Sequence, residues 1–399
     1  MPQYYYTAKS KNSEKKITDV MKADNERDLV KKLKKEELFI IESEEIKAGG
    51  ITIGKKVDLD DKIFLARNLK MMLSGGLSLS RALRTISLQT NNNHLRSILL
   101  KVRDEIHEGK SFSEALSRYD DIFSKMFISV IKLSEETGQI EENLDILISQ
   151  FKKEKELKSE VIGALIYPAV ITFAMLLVGV AMLILVVPQL TSTFDSVQMD
   201  LPAPTRFFMW LGDVVVESWY ILLTAIISLG VLLKVSLKTK KGKRLLDSLF
   251  LKLPLISNVV KKINSARIAR TLNSLLSSGI SMIKSLEIIS ESTSNLYFKE
   301  AIEESIEAIQ KGDKLSESLR FNIDLFSNIL VQMMEVGEET GQMTNVLSET
   351  ADFLEEEVYN SLKNMTSIIE PALMIVVGAA VGFFAFSMLL PIYSLMDVL

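Results

Sequence analysis

The sequence contains no cysteine and only two histidines, and these shortages exclude several kinds of site at once. Without cysteine there is no disulfide, no thiolate nucleophile and no cysteine-ligated metal. His94 and His107 are not neighbours on a helix and face no obvious cluster of carboxylates, so we expect neither to bind a metal. The net charge of −4 over 399 residues gives no indication of nucleic-acid binding.

Catalytic patterns are lacking as well. Gly109-Lys110-Ser111 resembles the end of a phosphate-binding loop, but that motif needs a glycine at position 104, where this chain has Asp104. No combination of serine, histidine and aspartate suggests a nucleophile with its base. We therefore expect a protein that is not an enzyme and needs no cofactor. The N-terminal segment also lacks the apolar stretch of a cleavable signal peptide.

What the chain does contain is an internal repeat. The pentapeptide EETGQ occurs at 135–139 and again at 338–342, an offset of 203 residues. At the same offset, LSGGLS at 73–78 meets LSSGIS at 276–281. The correspondence continues from position 66 to position 188 without a gap, so the chain carries a duplicated unit.

Charged residues are scarce in three long apolar stretches. Residues 163–188 and 371–396 carry no charge, and residues 214–233 carry only Glu217, near one end. A helix of about 20 apolar residues crosses a bilayer core about 30 Å thick. The sequence therefore predicts three transmembrane helices, at 163–188, 214–235 and 368–396.

Basic residues concentrate on one side of these stretches. Lysines precede the first stretch and follow the second, whereas the connection at 189–213 has only Arg206. By the positive-inside rule, the basic flanks are cytoplasmic and the connection is a short external loop. We expect a multi-pass membrane protein with a cytoplasmic N-terminus and an external C-terminus.

The first 45 residues differ from the rest of the chain. Residues 3–8, 16–20 and 38–42 have the composition of short strands, and residues 25–36 place apolar side chains on one helical face. This pattern predicts a small ββαβ module over 1–45, followed by a glycine-containing linker at 46–59.

The segments at 60–160 and 236–365 have helical periodicity and no strand pattern. Six short helices are expected in each, ended by residues such as Gly76, Gly109 and Gly138. The predicted fold is an all-α membrane protein with two tandem-repeated six-helix cytoplasmic bundles and three transmembrane helices. A small N-terminal α+β module precedes them.

EETGQ falls between the fifth and sixth helices of each bundle. Its glycines are expected to take the left-handed conformation that ends a helix. Its glutamates lie at the negative end of the helix dipole, which costs about 0.3–1 kcal/mol for each unpaired carboxylate. The candidate contact residues are Glu135, Glu136, Thr137, Gly138, Glu338, Glu339, Thr340 and Gly341.

Three explanations of these glutamates remain open. The first is pairing with Arg67 and Arg270, which recur at the repeat spacing. The second is contact with a basic surface on a partner protein. The third is a solvated hairpin that was inherited through the duplication.

Residues at the membrane edge are further candidates. Pro168 and Pro371 lie one turn into their spans, where proline is tolerated. Glu370 is a candidate contact for a charge on a partner, with solvation at the interface as the alternative. Gly179 and Gly382 permit close helix contact, which suits homo-oligomerisation or docking of a foreign helix.

Several longer segments carry a family resemblance. They are ARNLKMMLSGGLSL, ARTLNSLLSSGISM, the two EETGQ hairpins, ALIYPAV and VVPQLTSTFDSVQMDLPAPTR. Together with the duplicated helical domains and three spans, they resemble the F-type inner-membrane platform family of type II secretion and type IV pilus assembly. The resemblance covers essentially the whole chain.

This resemblance implies a non-enzymatic role in the bacterial inner membrane. The expected partners are a cytoplasmic hexameric assembly ATPase, the transmembrane helices of pilins or pseudopilins, other inner-membrane assembly proteins and further copies of the chain. ATPase motion would pass through the cytoplasmic bundles and lift each subunit from the bilayer. The alternative is a small membrane transporter or channel component, which would need polar groups within the spans, and these are few.

Overall fold

The computed structural model describes residues 3–10, 16–35, 38–46, 56–188 and 203–396. Most of the described residues are helical, and the strands are confined to the N-terminal segment. The predicted linker at 46–59 lies mostly outside the described residues, and so does the first part of the predicted external loop.

The N-terminal segment forms a three-stranded antiparallel sheet with one helix, in the predicted ββαβ order. Strand β1 (Gln3–Ser10) lies between β2 (Lys16–Lys22) and β3 (Leu38–Ile46), and α1 (Glu26–Lys35) connects β2 to β3. One amphipathic face of the helix covers the sheet, because apolar residues recur at helical spacing. The buried core consists of Tyr6, Ala8, Ala23, Leu29 and Leu33.

The first repeat is built from helices joined by short turns. They are α2 (Leu59–Ser74), α3 (Leu79–Gln89), α4 (Asn93–His107), α5 (Phe112–Ser117), α6 (Lys125–Thr137) and α7 (Ile140–Ala181). A capping box begins α2, in which Asp58 Oδ1 accepts from Asp61 N at 2.9 Å and Asp58 N donates to Asp61 Oδ2 at 3.2 Å. Ser111 and Ser124 cap α5 and α6 through their hydroxyls.

The second repeat follows the same order of helices with one addition. It contains α10 (Lys240–Lys252), α11 (Pro254–Ser277), α12 (Met282–Ser292), α13 (Leu296–Gln310), α14 (Leu315–Phe321), α15 (Asn328–Thr340) and α16 (Met343–Met396). The added helix is α10, which packs on α13. Arg244 of α10 makes two 3.2 Å hydrogen bonds to Glu300, and Asp247 accepts from Leu296 N at 2.9 Å.

The last helix of each repeat continues without a break into an apolar segment. Helix α7 is 42 residues long and is followed by a π-helical turn, Met182–Val186. Helix α16 is 54 residues long. The segments Ile140–Val186 and Met343–Ser387 are long and apolar enough to cross a membrane, and their apolar windows are not buried in the protein. Each repeat and its adjoining span therefore share one helix.

The region of the second predicted span, at 214–235, differs from the prediction. Helix α8 (Ala203–Glu217) begins inside the predicted loop at 189–213, and the chain bends at Ser218 before α9 (Trp219–Lys238). Helix α8 packs against the end of the first span, because Gly212 has no side chain. A Cβ there would stand 3.4 Å from Leu183 O. The predicted single span at 214–235 is thus divided between two helices, with a shorter apolar segment in α9.

Aromatic rings fill the core of the first repeat. Phe127 stacks between Phe123 and Phe151, with ring centroids 5.3 and 5.9 Å apart, and all three are almost fully buried. Because these rings come from the turn before α6, from α6 and from α7, they join three consecutive parts of the repeat.

Truncation of the central ring therefore tests the importance of this core. We expect Phe127→Ala to lower the free energy of unfolding by about 3–5 kcal/mol, since a large buried side chain is replaced by a cavity. Phe321→Ala is the matched control, because Phe321 is 90% exposed. Thermal unfolding of the detergent-solubilised chain measures both. Equal effects would contradict the assignment of Phe127 to the core.

Candidate functional site: the EETGQ hairpins and the interface between the repeats

The two EETGQ segments form equivalent hairpins, between α6 and α7 and between α15 and α16. The glycine that ends the preceding helix is left-handed in both, with φ of 76° at Gly138 and 69° at Gly341. This conformation is strained for residues that carry a Cβ, which explains a glycine at both positions. The predicted left-handed caps are thereby confirmed.

The first glutamate of each hairpin caps a neighbouring short helix. Glu135 accepts hydrogen bonds from Phe112 N at 2.5 Å, Ser113 N at 3.0 Å and Ser113 Oγ at 2.5 Å, at the start of α5. Glu338 accepts from Leu315 N at 2.6 Å and Ser316 N at 3.1 Å, at the start of α14. Each carboxylate thus satisfies two backbone N–H groups that the short helix leaves unpaired.

The predicted pairing of these glutamates with Arg67 and Arg270 is therefore wrong. The unfavourable position at the end of one helix is offset because the carboxylate reaches the positive end of another. The candidate pairing rests on repeat spacing alone. Every residue that recurs in the second repeat has the same offset of 203, so the offset does not identify which residues are in contact. The available indication is the start of a short helix at Ser113 and at Ser316, where unpaired backbone N–H groups need an acceptor.

The remaining hairpin residues point outward. Glu136, Thr137 and Gln139 are exposed. Thr137 Oγ1 donates to Leu133 O at 2.9 Å, and Thr340 Oγ1 donates to Val336 O at 2.7 Å, so both threonines bond back to their own helix. In the second copy, Glu339 lies 3.8 Å from Lys314 in an exposed ion pair, which contributes little. The hairpins therefore combine a structural glutamate with an accessible tip.

Arg270 belongs to an ionic cluster at the junction of the repeats. Its guanidinium donates to Glu355 at 2.8 and 2.9 Å and to Asp352 at 2.5 Å, and its side chain is 11% exposed. Lys153 of the first repeat lies 3.1 Å from Asp352 and 3.2 Å from Glu355. Two acids of α16 thus bind one base from each repeat.

The cluster changes the pKa of its members. Burial alone raises the pKa of Asp352, but the hydrogen bonds and charges of Arg270 and Lys153 outweigh it, so the pKa is lowered. Burial alone lowers the pKa of Lys153, but its hydrogen bond to Asp352 and the charge of Glu355 leave the pKa raised. Both groups therefore keep their charge more firmly than they would in water.

Arg67 has no such cluster. The positions that correspond to Asp352 and Glu355 in the first repeat are Ser149 and Lys152. Arg67 is exposed, and no described residue pairs with its side chain. The two arginines that recur at the repeat spacing consequently have different surroundings.

A buried polar contact adjoins the ionic cluster. Gln150 donates to Thr271 Oγ1 at 3.3 Å and accepts from Ser274 Oγ at 2.8 Å, and all three residues are buried. Because Gln150 belongs to α7 and the other two belong to α11, this contact joins the repeats. Hydrogen-bonded polar groups are well tolerated in such an interior.

The two apolar helices lie side by side where their apolar segments begin. Tyr167 OH is 3.4 Å from Glu370 Oε1, and Thr366 Oγ1 is 3.4 Å from Ala164 O. Tyr167 and Glu370 are corresponding residues of the two repeats, so the helices run parallel at matching depth. Pro168 and Pro371 lie within continuous helices, next to this contact.

An apolar groove separates the two helices farther from the repeats. Phe208 of α8 closes one side, edge-on to Phe384 at 5.2 Å between ring centroids. Among the described residues, the lining contains no ionisable side chain. It consists of Ile171, Ala174, Met175, Val178, Gly179, Met182, Leu183, Phe208, Val377, Ala380, Val381 and Phe384.

Comparison with known proteins assigns the family. The type II secretion system (T2SS), protein F family matches residues 65–188 and 268–391, once in each repeat. The chain belongs to this family. Type IV pilus assembly protein PilC of Thermus thermophilus is 33% identical over 411 residues, covering 100% of this chain and 99% of that relative. PilC of Pseudomonas aeruginosa is 31% identical, covering 86% of this chain and 92% of the relative. Type II secretion system protein F of Vibrio cholerae is 26% identical, covering 95% of each.

The two segments matched by the protein F family coincide with the two copies of the duplicated unit. Both matched segments begin within the first helix of a repeat and end in the apolar stretch, 203 residues apart in the chain. The family unit is therefore a helical domain together with its membrane helix. The N-terminal module and α10 fall outside it.

The role of the hairpin glutamate is testable by substitution. We expect Glu135→Ala to lower the free energy of unfolding by about 1–3 kcal/mol, since two buried backbone donors lose their acceptor. Glu136→Ala is the matched control, with an effect within about 0.5 kcal/mol because its side chain is exposed. Thermal unfolding measures both.

Combining Glu135→Ala with Arg67→Ala completes the test. Their effects should add within about 0.5 kcal/mol, because the two side chains do not interact. A larger coupling energy would restore the pairing that the geometry rejects.

The ionic cluster predicts different consequences for two corresponding arginines. Arg270→Ala should lower the free energy of unfolding by about 1–3 kcal/mol at neutral pH, because two carboxylates lose hydrogen bonds. Arg67→Ala should change it by less than about 0.5 kcal/mol. Since the pKa of Asp352 is lowered on folding, its contribution is complete above the ordinary carboxyl pKa of about 4 and is lost as the pH falls through the folded value. Chemical unfolding at a series of pH values from 7 downward checks this, and a loss for Arg270→Ala that does not shrink as the pH falls below the ordinary carboxyl pKa would contradict it.

Proposed function

We propose that this chain is the inner-membrane platform of a type IV pilus or type II secretion machine. In this role it would couple a cytoplasmic assembly ATPase to the extraction of pilin or pseudopilin subunits. The observation that carries the proposal is the continuity of α7 and α16, each of which is both part of a repeat and a membrane helix. The names of the relatives support it, since they are pilus assembly and secretion components.

Continuous helices suit the transmission of motion. A helix rises about 1.5 Å per residue, so the 42 residues of α7 form a rod about 60 Å long. A displacement of either repeat would move its span, because no flexible segment intervenes. In this role the chain would catalyse no reaction, because it would be displaced by another protein.

The membrane arrangement extends this proposal. Helices α7 and α16 would each cross the inner membrane, and α8 with α9 would supply a third crossing. The N-terminus and both repeats would then be cytoplasmic, and the C-terminus would be external. The lysine-rich flank that follows α9, including Lys240 and Lys241, supports this direction.

The accessible surfaces suggest where partners bind. The exposed tips of the hairpins, with Glu136 and Gln139 in one repeat and Glu339 and Gln342 in the other, are the proposed contacts for the ATPase. The apolar groove between α7 and α16 is the proposed contact for the transmembrane helix of a pilin. Glu370 lies at its cytoplasmic end, next to Pro371, where a charge on a pilin would reach it. Other inner-membrane assembly proteins and further copies of the chain complete the machine.

The chemistry of the groove argues against the transporter alternative. A transporter or channel needs polar or ionisable side chains along its path. The lining of the groove is apolar throughout, which suits the helix of another protein.

Photocrosslinking in cells tests the platform proposal. A photoreactive residue at Gln139 or Gln342 should capture an assembly ATPase or a pilin, because both positions are exposed at hairpin tips. The same residue at Lys101, which is exposed on α4, is the control and should capture neither. Identification of the captured proteins by mass spectrometry is the measurement. Capture of transport subunits in place of the ATPase and the pilin would overturn the proposal.

A further inference from the structure

The contact between the two repeats is one-sided. Helices α6 and α7 of the first repeat meet α11 and α12 of the second. Lys125 Nζ lies 2.7 Å from Glu291, and the hydroxyl of Ser274 lies 2.8 Å from Gln150. At Gly279 a Cβ would stand 3.6 Å from the side chain of Leu133, so the backbone of the second repeat touches that leucine.

Among the described helices, the reciprocal contact is not made within the chain. If a two-fold axis related the repeats, α15 and α16 would cover α2 and α3 in the same way. Lys125 corresponds to Asn328 and Gly279 to Gly76, but four other corresponding positions hold solvent-exposed large apolar side chains. They are Met71 (65% exposed, corresponding to Ser274), Leu88 (46%, to Glu291), Val336 (42%, to Leu133) and Phe353 (46%, to Gln150).

Each chain therefore exposes two surfaces that correspond to the two sides of the contact between its repeats. We define the α15/α16 face by Val336, Phe353 and Glu356. We define the α2/α3 face by Arg67, Met71 and Leu88, together with Lys152 of the adjoining helix α7. In a head-to-tail arrangement of this kind, two different faces remain exposed on each chain. If the same docking is repeated, one face of a chain contacts the other face of the next chain.

The two faces would bring one pair of exposed apolar side chains together. Applying the relation between the repeats once more would place Phe353 of one copy against Met71 of the next, as Gln150 lies against Ser274 within the chain. The polar pair inside the chain is replaced by an apolar pair on the two exposed faces. Removal of apolar side chains from water favours this second docking.

The charges on the two faces are complementary too. Within the chain, Lys153 of the first repeat binds Glu355 of the second at 3.2 Å. The corresponding residues are Glu356 and Lys152, so the signs are exchanged and the attraction is preserved. Both are exposed, and neither pairs with another described residue. Arg67 adds a second positive charge to the same face as Lys152.

The membrane helices are compatible with repeated docking. Corresponding residues Tyr167 and Glu370 face each other, so the relation between the repeats keeps the helices parallel and at the same depth. Applying the relation again keeps the next copy in the same bilayer. A docking that tilted the helices apart would not satisfy this condition.

We propose that a second copy of this chain docks its α2/α3 face on the α15/α16 face, extending the arrangement of the two repeats into a ring or row of alternating repeats. This inference specifies the contact between copies in the oligomeric platform proposed above. The absence of cysteine makes the test direct, since any disulfide must come from an introduced residue.

Disulfide crosslinking in membranes tests the contact. Two variants of the full chain, Met71→Cys and Phe353→Cys, are co-expressed and then oxidised. The expected product is a covalent dimer of one chain of each kind, and the double variant should give a ladder of three or more chains. Each single variant alone should give neither. Met71→Cys combined with Phe321→Cys is the control for random collision, because Phe321 is 90% exposed outside both faces.

Charge exchange supplies an independent check. Glu356→Lys should reduce the crosslinked fraction of the Met71→Cys, Phe353→Cys variant about tenfold, since it faces Lys152 and Arg67. Adding Lys152→Glu and Arg67→Glu should restore the ladder. A variant that misfolds would not be rescued in this way.

The outcomes separate the possible occupants. A crosslinked fraction no higher than in the Phe321→Cys control would overturn the proposal, and so would a loss of the ladder that the compensating charges fail to restore. Adducts of Phe353→Cys with a different protein, in place of the second copy, would assign the face to that partner and also overturn it. The test needs neither the ATPase nor a pilin, so its failure is distinguishable from failure of the platform function.

Discussion

Backbone hydrogen bonding in lipid constrains this protein more than any single contact. A chain that crosses a bilayer must satisfy its N–H and C=O groups within itself, which a helix does. In this protein the helices that meet that requirement continue beyond the apolar segments, because α7 and α16 are also the last helices of the two repeats. The hairpins, the ionic cluster and the groove all lie on these two helices or against them. Their places are therefore fixed relative to the apolar segments.

The duplication retained the fold and changed the surfaces. Both copies keep the carboxylate that caps a short helix and the left-handed glycine of the hairpin, because the loss of either would destabilise the repeat. At the junction the copies have diverged. Arg270 has two acidic partners, whereas the corresponding positions in the first repeat hold Ser149 and Lys152 and offer Arg67 no carboxylate. Because of this divergence, the two repeats contact each other through different side chains, and their equivalent surfaces are not identical.

Much of the fold could be predicted from the sequence, because periodicity, glycine positions and the constant offset depend on local physics. The N-terminal ββαβ order and the hairpins at Gly138 and Gly341 are examples. The partner of Glu135 could not be predicted, since it depends on how α5 and α6 pack, and repeat spacing carries no information on contacts. The bend at Ser218 was missed for a related reason. It falls inside a continuous apolar stretch, where apolar composition does not mark the boundary between two helices.

The long helices are attached to each other at two levels. Lys153 joins α7 to Asp352 in the ionic cluster, and Tyr167 joins it to Glu370 at the membrane edge. Fourteen residues of helix separate the two attachments, which is about 21 Å along the axis. Two helices that are in contact at two levels resist a change in their crossing angle, since such a change would break one of the contacts. The pair is therefore held against splaying at two levels, so the two apolar segments keep one arrangement relative to each other.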